Sequence, residues 1–382
     1  MNGIICIYKE KGPTSFDVVA QIKHIFGTKK VGHGGTLDPM AEGVLPIFIG
    51  NATKAADFCP DDTKQYLAGF KFGLTTDTQD ITGNILSISN QYVSRNKMIM
   101  IERKFKGEQQ QIPPMYSAVR VNGQRLYDLA RKGVEVERKP RTITIYDLKI
   151  DNYENNQGTM LVTCSKGTYI RTLIHDIGQE LGVGGVMTFL VRTKSGIFTV
   201  DQCYKLGDLA GRPPEELEKL LMPIEELYGS MPKAHLDEEQ TRLFRNGAVL
   251  DADRILFDRI YDKGYYIEGC DGVFLGLGKI STDHSLEVFR RFNTDTKNKT
   301  AGEAHEKEQQ NPAEKASETE QQNPTEEAAE KEQPIPADAS PEEAPKEEER
   351  INTEKAKEEP EKQEDNSEKN ASQESNPENN QE

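Results

Sequence analysis

The strongest constraint on what this chain can fold into is a change of composition near residue 300. Residues 301–382 contain no Phe, Tyr, Trp, Leu, Val, Met or Cys, and Ile335 and Ile351 are their only large aliphatics. Such a segment cannot bury enough apolar surface to offset the entropy of ordering it, so a disordered acidic tail is expected from about residue 293. It repeats Glu-Gln-Gln-Asn-Pro at 308–312 and 320–324, as drifted low-complexity sequence does, not as a solenoid does. All 13 Tyr, all 14 Phe and all 5 Cys precede residue 300, so the core must be built there.

The same boundary divides the charge. The whole chain carries 48 Lys+Arg and 64 Asp+Glu, a net −16, which taken alone argues against a polyanionic partner. Residues 301–382 hold 9 basic and 26 acidic side chains, a net of 9 − 26 = −17, leaving 39 basic and 38 acidic in residues 1–300. The acidity belongs to the tail, and the foldable part is close to neutral.

Other classes are excluded by pattern. Met1–Glu10 has neither a basic leader nor a long apolar run, and Val44–Ile49 is far too short to span a bilayer. A soluble, cytoplasmic protein without membrane contact is expected. Cysteines 6, 59, 164, 203 and 270 are odd in number and never form C-x-x-C, as suits reduced thiols. The histidines show no metal-ligand spacing, so a structural metal is not expected.

Gly3–Tyr8 reads as a strand. Thr14 reads as the N-cap of a helix, with Asp17 at the capping-box position, apolar residues at 16, 19, 22 and 26, and Gly27 as the stop. A Gly-rich loop over Thr28–Gly43 then leads into a Val44–Ile49 strand. Gln65–Gly73 alternates, with Tyr66, Ala68, Phe70 and Phe72 on one face, the mark of a half-buried strand. Thr142–Asn152 and Thr159–Ser165 are two more, joined by a turn at Asn155-Asn156-Gln157-Gly158. Thr168–Leu181 has helical spacing. Without a strict βαβ rhythm, the fold class is α+β with a mixed or antiparallel sheet. The stretch 106–141 interrupts that sheet as an insertion would. Its portion Val119–Arg141 has seven basic residues, Arg120, Arg125, Arg131, Lys132, Arg138, Lys139 and Arg141, against three acidic ones. Short strands over Arg254–Tyr261, Tyr265–Gly269, Val273–Ile280 and Leu286–Phe292 indicate a small β-rich domain at 231–292 after a larger one at 1–230.

The densest signal is Gly32-His33-Gly34-Gly35-Thr36-Leu37-Asp38-Pro39-Met40-Ala41-Glu42-Gly43-Val44-Leu45-Pro46. Its glycines permit unusual backbone angles and close approach of a ligand, and Pro39 restricts Asp38 to an extended conformation. Four readings compete at this level. A phosphate cradle lacks the Walker ending and GxGxxG. An Asp-Pro turn without function is the plain alternative. A metal carboxylate lacks nearby partners. The fourth is a positioned nucleophilic or basic aspartate.

This stretch resembles the catalytic-aspartate motif of the TruB family of pseudouridine synthases. Lys9-x-x-Gly12-Pro13-Thr14-Ser15, Lys64-Gln65-Tyr66, Pro113-Pro114-Met115-Tyr116-Ser117-Ala118, Ser165-Lys166-Gly167-Thr168-Tyr169-Ile170-Arg171-Thr172-Leu173 and Leu190-Val191-Arg192-Thr193 resemble five further segments of that family in the same order. Glu10 departs from it, standing where many relatives carry proline. The resemblance implies a pseudouridine-synthase-like catalytic domain with an RNA-gripping insertion and a PUA-like C-terminal domain. It implies isomerisation of uridine 55 in the tRNA T-loop, without cofactor or metal, by a monomer that engages the T-arm.

By resemblance, Asp38 is the catalytic carboxylate, Arg171 its partner, and Tyr66 the ring against the flipped uracil. His33 displaces or replaces the base in the RNA, Tyr169 is a second pocket wall, and Lys9 and Leu190 serve pocket architecture and base packing. Basic residues of the insertion (Arg120, Arg125, Arg131, Lys132), with Lys29, Lys30 and Lys166, would contact phosphates, which position RNA without reading its sequence. Two rivals remain: a non-catalytic RNA-binding or RNA-folding protein, and a guide-RNA-dependent synthase. The sequence names no partner for the tail.

Overall fold

The computed structural model describes residues 1–259 and 264–292. The tail expected from residue 293, and Ile260 and Tyr261 of one expected strand, lie outside the described residues.

A nine-stranded mixed sheet organises the molecule. Its main path runs Gly3–Lys9, Ala41–Ile49, Gly185–Ser195, Lys64–Phe72, Gln157–Cys164, Arg141–Glu154, Gly107–Gln111. Ala41–Ile49 and Gly185–Ser195 run parallel, and every other pair along that path is antiparallel. The alternation read in Lys64–Phe72 is realised as burial: Tyr66, Ala68, Phe70 and Phe72 all enter one core with Leu173, Ile174 and Ile177 of the helix Ile170–Glu180. The Thr14 capping box also forms, Thr14 Oγ1 accepting from Asp17 N at 3.1 Å while Asp17 Oδ2 accepts from Thr14 N at 2.8 Å. It starts the helix Ser15–Ile25, whose Val18, Val19 and Ile22 pack on Ile5, Ile7, Leu45 and Ile47.

Three expectations need correction. Thr28–Gly43 is not wholly loop, because Val31–His33 pairs with Ala41–Ile49. The stretch begun at Lys106 first contributes the edge strand Gly107–Gln111, so the excursion from the sheet runs from Ile112 to Pro140. It contains a two-stranded ribbon, Arg120–Val121 with Gln124–Arg125, and a short helix, Leu126–Arg131. The turn after Arg141–Glu154 is two residues, Asn155 and Asn156, both at positive φ (48° and 59°), as a tight hairpin requires.

The strand Gly185–Ser195 shows in the sequence only through its family-like segment, and it is central. It packs so closely on Ala41–Ile49 that a Cβ on Gly43, whose φ is +102°, would sit 2.2 Å from the Arg192 carbonyl oxygen. Gly43→Ala combines backbone strain with a backbone clash, and is expected to destabilise the fold by about 3 kcal/mol or more. Urea unfolding of the variant beside wild type measures it.

A second sheet, in the order Leu256–Phe257, Lys233–His235, Tyr265–Glu268, Phe274–Ile280, Leu286–Arg291, follows. The strand expected over Arg254–Tyr261 is thus reduced to two residues within its described part. Tyr266, Phe274, Leu277 and Phe292 share a core with Ile4, Cys6, Val44 and Phe48 of the large sheet. No helix among the described residues is long and apolar enough to cross a membrane.

Candidate active site

Asp38 sits in a turn held from both sides. Ala41 N donates to Asp38 O at 3.0 Å, closing a turn with Pro39 in its second position, where a fixed φ favours it. On one flank, Leu37 N donates to Ser15 Oγ at 2.9 Å and Ser15 Oγ to Leu37 O at 3.2 Å. Ser15 is the first helical residue after the Thr14 cap, so the cap also positions the loop. On the other flank, Gly12 N donates to Pro39 O at 2.8 Å. The Lys9 ammonium, fully buried, donates to Ala41 O at 2.6 Å and to Pro39 O at 3.4 Å. Burial pushes Lys9 down to about 8, partly offset by the charges of Asp38 and Glu42. Lys9 thus acts on the backbone of the loop that carries the carboxylate.

The carboxylate meets a guanidinium that has almost no access to water. Arg171 Nη2 lies 2.8 Å from Asp38 Oδ2, with 6% of the arginine side chain exposed against 40% of the aspartate. Arg171 Nη2 also donates to Tyr116 O at 2.8 Å, and Nη1 donates to Thr78 O at 3.1 Å and lies 3.6 Å from Asp80 Oδ2. A surface ion pair, the plain alternative for this residue, is therefore not what the structure contains. Asp80 is buried in turn, its Oδ1 accepting from the Thr82 hydroxyl at 2.6 Å, the Thr78 hydroxyl at 2.8 Å and Thr82 N at 3.0 Å. One planar cation thus spans an exposed and a buried carboxylate, with two carbonyls accepting from its terminal nitrogens.

The helix that carries Arg171 is anchored by the edge strand. Gln111 Oε1 accepts from Tyr169 N at 2.8 Å, and Gln111 Nε2 donates to Tyr169 O at 3.1 Å. Tyr169, half-buried at the helix cap, and Tyr66, buried on its strand, have phenols pushed up by burial, and the charge of Asp38 reaches both. Leu190 is buried in the core that includes Leu37, Ala41 and Tyr66. Asp38, Arg171, Tyr66, Tyr169, Leu190 and Lys9 are therefore brought together.

Two residues of this site were not singled out from the sequence. Asp80 lies in a polar stretch that reads as ordinary loop. Arg192, 1% exposed, donates through Nε to Val44 O at 2.7 Å and through Nη2 to Gly35 O at 3.1 Å. In the sequence it stands out only as part of the family-like segment Leu190-Val191-Arg192-Thr193.

His33 lies at the end of Val31–His33 and lines a cavity of about 270 Å³ with Phe48, Lys64, Lys166, Asp61 and Asp62. Its Nδ1 is buried without a hydrogen-bond partner among the described residues, and burial lowers its basicity. Arg120, Arg125, Arg131 and Lys132 line a common cleft of the excursion with Asp128, and the Arg125 and Arg131 guanidinia lie 5.7 and 5.5 Å from the Tyr127 ring centre. Lys29, Lys30 and Lys166 lie outside that cleft. Lys30 donates to Asn51 Oδ1 at 3.2 Å, and Lys166 pairs with Asp62 at 2.5 Å.

The family model for the TruB family pseudouridylate synthase N-terminal domain matches residues 23–170, and the model for the tRNA pseudouridylate synthase B C-terminal domain matches residues 171–228. Among curated proteins, tRNA pseudouridine synthase B of Clostridium perfringens (strain 13 / Type A) is 43% identical over 282 residues, 73% of this chain and 95% of the relative. The protein of the same name from Clostridium novyi (strain NT) is 45% identical over 278 residues, again 73% and 95% of the two chains. Among solved structures, a Cbf5-Nop10-Gar1 complex contains a chain similar at TM-score 0.59 and 29% identity, covering 76% of this chain and 84% of that one.

Proposed function

The chain belongs to the TruB family of pseudouridine synthases and isomerises uridine to pseudouridine in tRNA, and from that premise we propose that it acts on uridine 55 of the T-loop with Asp38 as the catalytic carboxylate. The observation that carries the assignment of Asp38 is its 2.8 Å pair with a buried arginine that is itself fixed by Asp80, Thr78 and Tyr116. A carboxylate held in this way keeps its position while one side stays open to substrate.

The reaction breaks the C–N link between ribose and uracil and rejoins the same base through carbon, so it consumes no external energy and needs no redox group. A uridine inside a folded RNA loop must first be turned out of its stack. Tyr66 and Leu190 offer the flat and apolar surfaces that hold an extruded pyrimidine, with Tyr169 as a second wall. Asp38 then supplies the anionic oxygen that either course requires: addition to the uracil ring, or support of the ribosyl carbon as the base departs. Arg171 holds that oxygen in place, and His33 fills or props the space the base leaves in the RNA.

The excursion Ile112–Pro140 grips the T-arm through Arg120, Arg125, Arg131 and Lys132, with Lys29, Lys30 and Lys166 as further phosphate contacts. Each phosphate contact removed should lower the slope of log affinity against log salt by about 0.7–0.9. The double variant Arg120→Ala/Arg131→Ala is expected to show that reduced slope in tRNA binding titrations across salt, with the fold unchanged by circular dichroism. The domain at 231–292 adds PUA-like RNA contacts. The enzyme works as a monomer in the cytoplasm, on tRNA directly, without a guide. Purified protein incubated with unmodified tRNA transcript alone tests the whole reading, pseudouridine at position 55 being the expected product. Turnover that requires a guide RNA would transfer the chain to the guided class.

A further inference from the structure

The Sγ atoms of Cys6 and Cys203 stand 3.1 Å apart. Cys6 lies on the first strand of the large sheet, opposite Pro46, and Cys203 follows the turn Val200–Gln202. Main-chain bonds stitch the two segments together at this point, Tyr204 N donating to Cys6 O and Tyr8 N to Tyr204 O, each at 2.9 Å. The thiols are thus opposed by the fold itself. We propose that Cys6 and Cys203 are a modification site, closing into a reversible disulfide when the enzyme meets hydrogen peroxide.

Reaching a disulfide length of about 2.05 Å requires the sulfurs to close by only about 1 Å, within the reach of small side-chain rotations. The two thiols differ in a way that orders the chemistry. Cys203 is half-buried and Cys6 is buried. The close contact between the two sulfurs holds the Cys203 thiol below its ordinary value, while the same contact and burial push Cys6 up. The buried Arg192 guanidinium favours the anion at both. The Cys203 thiolate therefore attacks the peroxide first, and the O–O bond breaks to give a sulfenic acid and hydroxide. The Cys6 sulfur next attacks the sulfenic sulfur, the S–O bond breaks, and water leaves with the Cys6 proton. Two thiols lose two electrons and the peroxide is reduced to two waters. Cys59 and Cys164, both pushed up to about 11 chiefly by burial, are poor competitors. The link joins residues 197 apart in sequence, so it closes a very long loop and should stabilise the fold.

The test treats the full-length protein with a small excess of hydrogen peroxide, blocks remaining thiols with iodoacetamide, and maps peptides without reduction. A peptide pair joined through Cys6 and Cys203, lighter by two hydrogens and released by dithiothreitol, is expected, with a melting temperature several degrees above that of the reduced protein. Cys203→Ser should abolish both the link and the shift while leaving activity on tRNA unchanged. Cys6→Ser should leave a sulfenic acid on Cys203 that dimedone traps. Wild-type protein in which Cys203 passes to sulfinic acid while Cys6 remains a free thiol would overturn the proposal. So would a disulfide that pairs Cys203 with any other cysteine.

Discussion

Asp38→Asn should lower turnover on tRNA by about 10⁴-fold or more while leaving tRNA affinity within about twofold of wild type. Asparagine keeps the shape of the side chain and an oxygen to accept from Arg171, but it removes the anion that either course of the isomerisation requires. The fold should survive because Arg171 does not depend on Asp38 alone. Asp80 and the carbonyls of Thr78 and Tyr116 still hold the guanidinium. Binding should survive because RNA is a polyanion, and removing an exposed negative charge cannot weaken the phosphate contacts that dominate affinity. Single-turnover kinetics with a filter-binding isotherm on the same preparation separate the two effects. Full activity in the variant would remove Asp38 from the mechanism, and equal loss of affinity and rate would make it a binding residue.

What could be read from sequence were the features whose cause is local. The Thr14–Asp17 box depends on four consecutive residues, and the Tyr66–Phe72 alternation on a single strand with one buried face. The turn that presents Asp38 was equally legible, since Pro39 and the glycines act on their own neighbours. Gly185–Ser195 escaped because most of its residues are buried or half-buried between neighbours on both sides, which erases the alternation that marks a strand with one wet face. Asp80 escaped for a different reason: its role exists only when Thr76–Asp80 is brought against the helix that starts at Ile170, far along the chain. A polar run of Thr, Asp and Gln carries no sign of that meeting. The insertion was recognised by its charge, but its first strand was misplaced because Gly107–Gln111 is polar and lies at a sheet edge.

Asp80→Ala should be costly to both stability and turnover, and the two effects should be separable by Asp80→Asn. Alanine leaves the Arg171 guanidinium, 6% exposed, without its buried counter-charge; breaking a buried pair from one side costs up to about 3–5 kcal/mol, and the remaining Asp38 pair and the Thr78 and Tyr116 carbonyls keep the cost below that ceiling. It also removes the shared acceptor of the Thr78 and Thr82 hydroxyls and Thr82 N, which all donate to Asp80 Oδ1. Asparagine can keep those three bonds through its carbonyl oxygen and retains the shape, so most of the fold's stability should return. The charge does not return. Arg171 then answers to Asp38 alone, draws that carboxylate more tightly, and leaves a less reactive oxygen facing the base. The expected outcome is a Tm several degrees lower for Asp80→Ala, a small shift for Asp80→Asn, and a fall in single-turnover rate of about 10²-fold for both. Thermal unfolding and rate measured at a temperature where both variants remain folded distinguish the cases. A normal rate in folded Asp80→Asn would reduce Asp80 to a structural partner of Arg171, with the carboxylate pair having no part in setting the reactivity of Asp38.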